Sequence, residues 1–117
     1  MELTEITYDG QPPIDAYGSG FFRVQGAVHE GPLALLPGGV IDWHGLDDWD
    51  AILAAHADFD VIFIGMGAQI AALPLALKNK LDAADLPYEP MATPTACRSY
   101  NVLLSEKRRV AIVALPV

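Results

Sequence analysis

Cysteine is almost absent from this chain. Cys97 stands alone, which excludes a disulfide within the chain and any all-cysteine metal site. Basic residues are scarce: seven Lys and Arg face fifteen Asp and Glu, for a formal net charge of −8. Such a balance argues against nonspecific binding to nucleic acid or to anionic lipid. Long apolar runs are also missing; none approaches the ~18 residues that a membrane-spanning helix needs. The first ten residues, MELTEITYDG, are acidic and lack both the apolar core of a secretory signal and the arginine-rich character of a transit peptide. The expected location is the cytoplasm. The three histidines, His29, His44 and His56, show no helical H-x-x-x-H spacing. His44 near Asp42 and Asp47 is a loose group, and neither a metal nor a cofactor is expected.

What the chain has in quantity is apolar material, 52% of 117 residues. This is enough for one domain, residues 1–117, with one core. There is no internal repeat, low-complexity stretch or linker. The first part is punctuated by Gly and Pro between short apolar runs, which predicts β-structure. Strands are expected within LTEITYDG, from Ile14 to Tyr17, Phe21–Gln25, Ala27–Glu30, LALL (residues 33–36) and VIDW (40–43).

From Gly45 the period changes. Asp47 is expected to cap a helix whose stripe is Trp49, Ile52, Leu53 and His56, with acids complementing its positive end. Val61–Ile64 is a continuous apolar run, as in a strand covered on both faces, with Gly65 and Gly67 ending it. Pro74 is expected in the first turn of a helix with Leu77, Leu81 and Ala84 inward. Tyr88–Met91 reads as a strand. Thr93 and Pro94 read as the cap and first residue of a last helix, and Arg109–Leu115 as a final strand. Helices alternating with strands predict an α/β fold with helices packed on a largely parallel or mixed sheet, the β-rich first part adding strands to the same sheet or a layer beside it.

Two segments stand out chemically. The exit at Gly65-Met66-Gly67-Ala68 could turn backbone N–H groups toward an anion at the carboxyl edge of the sheet. It is neither a dinucleotide fingerprint nor a P-loop, since Ile70 breaks the first pattern and Gly-Lys-Ser/Thr is absent. A tight strand exit is the plainer expectation. The second segment, Thr93 to Arg98, combines a helix start with Thr93, Thr95 and the cation Arg98; a merely structural cap explains it equally well. If both turns share one sheet edge, the cleft between Gly65–Ala68 and Thr93–Arg98 would suit a small anionic metabolite. Cys97 is the one candidate nucleophile. Near a helix start and Arg98 its thiol pKa would fall if exposed, but no histidine is placed to act as its base, and a core role is expected. Asn101, a poor interior helix former, lies one turn from Cys97 on the same face and is expected to satisfy a buried backbone group or meet a loop. Arg98, Lys107, Arg108 and Arg109 gather four of the seven cations, which predicts a locally positive face.

The combination of Gly65, Gly67, Met91, Thr93, Ala96, Cys97, Arg98, Tyr100, Asn101, Leu104, Glu106, Arg108 and Val110 resembles the Mth-type family of small domains of unknown function. Tyr17, Gly20, Phe22, Gly31–Leu36 and Trp43 fit it upstream. Departures from its pattern are Met66 for Thr, Ala92 for Asp, Ser99 for Thr and Lys107 for Gly. The resemblance implies a three-layer α/β fold, a mixed central sheet with helices and an additional β layer, and no established reaction. It also implies kinship with mitochondrial NADH dehydrogenase (complex I) assembly factors, which act by interaction. The expectation is therefore a non-catalytic interaction or assembly protein with a protein partner. The alternative is a binder or enzyme for a small anionic metabolite using Gly65, Met66, Gly67, Thr93, Thr95, Arg98 and Asn101.

Overall fold

A computed structural model of the chain describes residues 11–117; the strand expected within LTEITYDG lies outside them. Five short strands come first: β1 (Ala16–Gly18), β2 (Phe21–Val24), β3 (Ala27–Glu30), β4 (Leu33–Leu36) and β5 (Gly39–Ile41). They are followed by α1 (Asp50–Ala54), β6 (Val61–Met66), α2 (Leu75–Ala83), β7 (Tyr88–Met91), α3 (Thr93–Ser105) and β8 (Val110–Leu115).

The strands form two sheets. β1-β2-β3 is an antiparallel meander, and the main sheet has the order β5-β4-β8-β6-β7. In the main sheet β7, β6 and β8 run parallel, whereas β4 and β5 join antiparallel. The β-rich first part thus divides between the mixed sheet and a layer beside it.

Side chains alternate across the main sheet because the strand period is two. Ala34, Leu36, Ile62, Ile64, Ala111 and Val113 face α1 and α2, joining Ile52, Leu77 and Leu81. Leu33, Leu35, Phe63, Val110, Ile112 and Ala114 face the other way, where they meet Ala96, Cys97 and Tyr100 of α3 together with Phe22 and Val24 of β2. Both faces are covered, so β6 and β8 read as unbroken apolar runs. On the outer strand β7, Ile62 N–H donates to Pro87 C=O at 3.0 Å. Residues 87, 89 and 91 therefore turn their backbone groups inward. Pro90 falls at an outward position, where a missing N–H blunts further strand pairing.

Three helix starts differ from expectation. α1 begins at Asp50 with Trp49 before it and no side-chain cap. Asp48, not Asp47, is the working acid: its carboxylate accepts the His44 N–H at 3.0 Å and folds the preceding turn. Trp49 and Ile52 are buried as the stripe requires, but His56 lies exposed in a single 3-10 turn, His56–Asp58. Pro74 precedes α2 rather than opening it. α3 begins at Thr93, with Ala92 in the cap position.

Candidate functional site

β6 ends where α3 begins, and the contact between them is unusually close. Gly65 is not an exit residue; it lies within β6 and is buried. A Cβ built there would stand 2.7 Å from Thr93 Oγ1, 3.0 Å from Thr93 Cα and 3.0 Å from Ala114 Cβ. Glycine is thus what lets the helix start rest on the sheet. The strand exit itself is Gly67, with φ +102°, a conformation that L side chains rarely adopt.

The Gly67, Thr93 and Ala96 backbone donors at this rim are committed internally. Gly67 N–H donates to Thr93 Oγ1 at 2.9 Å, and Thr93 Oγ1 donates onward to Leu115 C=O at 2.6 Å. Thr93 N–H donates to Gly67 C=O at 2.8 Å, and Ala96 N–H to Ala92 C=O at 2.9 Å. Pro94 has no N–H to give. Thr93 is fully buried, so one hydroxyl ties together β6, β8 and α3. The two turns do share one sheet edge, but they lock to each other through Gly67 and Thr93, which leaves neither of those N–H groups for an anion. Met66 also turns away, packing against the α1 and α2 side of the sheet. Thr95 is exposed at the first turn of α3.

The open space lies one turn further along α3. A cleft of about 350 Å³ has Pro94, Cys97, Arg98 and Asn101 on one side and Ile14 to Tyr17 on the other. Its second wall is held by mid-helix polar groups. Asn101 Nδ2 donates to Ile14 C=O at 2.8 Å, and Ile14 N–H donates to Asn101 Oδ1 at 2.8 Å. The amide side chain so mimics a paired strand. One turn inward, the buried Tyr100 hydroxyl donates to Pro12 C=O at 2.7 Å, and Gln11 Nε2 donates to Val110 C=O. Burial raises the Tyr100 pKa above the ordinary phenol value.

Cys97 forms the cleft's inner edge and is 4% exposed. Removal from water pushes its thiol up to about 12, opposite to the lowering that a helix start and an exposed Arg98 would produce. The group is therefore a neutral thiol at physiological pH and a poor nucleophile. Arg98 is exposed and lines the cleft; among the described residues it forms no ion pair. It also borders a second hollow of about 330 Å³ with Phe63, Ser99, Val102 and Leu103. Among the described residues no three His, Cys, Asp or Glu side chains gather as a metal site would need, and no helix is long and apolar enough to cross a membrane.

The Ile14–Tyr17 wall was not assigned to a site from the sequence. Its signal was present in two places. Pro12 and Pro13 cannot donate to a ladder, so their segment needs outside partners, and Asn101 sits mid-helix, where an amide must have an occupation.

Comparison with known proteins places this geometry in a family. Residues 14–115 match the model of a family described as protein of unknown function (DUF498/DUF598). An uncharacterised protein of Rhodobacter capsulatus is 47% identical over 117 residues, covering 100% of this chain and 94% of the relative. NADH dehydrogenase [ubiquinone] 1 alpha subcomplex assembly factor 3 of Danio rerio is 26% identical over 110 residues, 88% of this chain. The match takes in 63% of that relative. Among solved structures, one described as an outer membrane protein from Bartonella henselae superposes with a TM-score of 0.83 at 34% identity, covering 95% of this chain and 99% of that one. A Bordetella pertussis protein described as a Mth938-like domain superposes with a TM-score of 0.72 at 25% identity, covering 99% and 92%. The chain belongs to the DUF498/DUF598 family and has the Mth-type α/β fold.

Proposed function

We propose that this protein is a non-catalytic interaction factor that acts in the cytoplasm on the assembly of a larger complex, with NADH dehydrogenase as the first complex to test. The observation that carries this reading is the similarity to the Danio rerio assembly factor across 88% of the chain. Two features of the molecule support it. The candidate nucleophile Cys97 is desolvated and held as a thiol, and the Gly67 and Thr93 donors at the rim are bonded within the fold rather than left for a reacting anion. In addition, Ile70 and Leu75 are 73% and 70% exposed, within an uncharged run from Ala68 to Leu77. Exposed apolar surface on an acidic protein suits a docking partner.

The test is deletion of the gene in the source organism, followed by native-gel quantification of assembled NADH dehydrogenase. The full-length protein is recovered in parallel with its crosslinked partners. Loss of assembled complex, restored by the wild-type chain and not by an Ile70→Asp/Leu75→Asp variant that folds normally, is the expected result. Unchanged assembly in the deletion strain, with no stoichiometric partner recovered, would overturn the reading.

A further inference from the structure

We propose that the cleft between α3 and the Ile14–Tyr17 segment is a binding site for a small monocarboxylate with an apolar body, its carboxylate held by Arg98. The site stands independently of the assembly reading. Its volume of about 350 Å³ falls at the small end of ligand pockets. The lining is mainly apolar: Ile14, Tyr17, Pro94 and the neutral Cys97 thiol offer a greasy surface, and Tyr17 is left 41% exposed over it.

The polar groups are few, and most have an occupation. Both ends of the Asn101 amide are spent on Ile14. Asp15 Oδ2 accepts the Gly26 N–H at 3.3 Å, across the turn from β2 to β3. Arg98 is left with no carboxylate partner among the described residues, although these include twelve of the chain's fifteen acids. Its planar fork suits a carboxylate in two-point contact. The Asp15 carboxylate on the facing wall sets the upper limit on ligand charge. A second acidic group, or a phosphate, would be repelled, whereas a single carboxylate directed at Arg98 leaves its apolar end against Tyr17 and Pro94. The second hollow beside Arg98 lacks this arrangement, because no clamped backbone segment walls it. The double hydrogen bond from Asn101 fixes the wall before any ligand arrives, which lowers the ordering cost of binding.

The same chemistry could come from a free aliphatic or aromatic acid or from the terminal carboxylate of a polypeptide. The experiment titrates the 15N-labelled full chain with 3-phenylpropionate, with the isosteric neutral 3-phenylpropionamide, and with N-acetyl-glycyl-phenylalanine bearing a free carboxyl. Backbone signals of Ala16 and Tyr17 and the Arg98 Nε–H signal are followed. The expected result is a saturable shift of these signals with the carboxylates. Affinity should fall about tenfold or more for the amide and for Arg98→Gln. It should fall less for Arg98→Lys and stay unchanged for Arg23→Gln, which alters an exposed cation on β2. The stronger of the two carboxylates then identifies the natural source as free acid or chain terminus. No saturable shift, equal binding of acid and amide, or full affinity in Arg98→Gln would each overturn the proposal.

Discussion

Replacing Thr93 by valine keeps the shape of the side chain and removes its hydroxyl, so it isolates the bonds that close the rim. Two partners lose their occupation: the buried Gly67 N–H, 2.9 Å from Oγ1, and the Leu115 C=O, 2.6 Å away. Leaving a buried backbone group unsatisfied costs about 1–3 kcal/mol. Leu115 is only partly buried, so its carbonyl recovers some water contact, and the sum expected for Thr93→Val is about 2–4 kcal/mol. Thr93→Ser keeps the hydroxyl and deletes one methyl group, about 1 kcal/mol of burial. The difference between the variants should therefore be about 1–3 kcal/mol. Urea unfolding followed by tryptophan fluorescence is the assay, since Trp43 and Trp49 are buried at 3% and 1% exposure. They pack edge to face with ring centres 6.1 Å apart. Both lie across the sheet from Thr93, so they report global unfolding and not the local change. A Val variant as stable as the Ser variant would refute the assignment of this hydroxyl as the tie between β6, β8 and α3.

Three further expectations follow from the same geometry. Gly65→Ala places a Cβ 3.0 Å from the Thr93 backbone; it should destabilise the protein by about 1–3 kcal/mol through overpacking, read as a lowered Tm, whereas no loss would mean that α3 is free to lift. Asn101→Leu should cost about 2–4 kcal/mol by orphaning the Ile14 N–H and C=O and speed hydrogen exchange at Ile14; unchanged protection there would refute the clamp. Cys97 should resist a thiol reagent at pH 8 until the chain unfolds. Its folded pKa, up to about 12, exceeds the ordinary value of 9.0. The unfolded chain therefore releases the proton first, and stability contributed by the neutral thiol is complete below pH 9 and falls between 9 and 12. The slope approaches about 1.4 kcal/mol per pH unit in that window, and Cys97→Ala should remove it from the alkaline unfolding profile.

Much of the main sheet was legible because its strands have no polar face to confuse the pattern. Val61–Ile64 and Val110–Leu115 are uninterrupted apolar runs, and such runs between helical stretches point to strands covered on both sides. The helix starts were less legible, for a physical reason. Asp and Thr near a helix start can serve the helix or another backbone group, and local spacing cannot say which. Asp48 took the N–H of His44. Thr93 took Gly67, 26 residues away, and Leu115, 22 residues away; with Pro94 next in line, its hydroxyl had more to gain in the core than at the cap. The same limit displaced the candidate site. The neighbouring turns were readable from strand order, but not the fact that they satisfy each other's donors. The wall at Ile14 depends on a contact with Asn101 across 87 positions, for which the sequence offered only an amide in need of a partner.

Backbone hydrogen exchange at the rim, resolved residue by residue by NMR, tests the account most directly. If the strand exit and the start of α3 are locked together, the Gly67 and Thr93 amides should exchange slowly, at rates set by opening of the sheet, while those of Gln69 and Thr95 exchange fast. A Gly67 amide exchanging as fast as Gln69 would contradict the account, because the donors would then face solvent and the rim would be an open anion site after all.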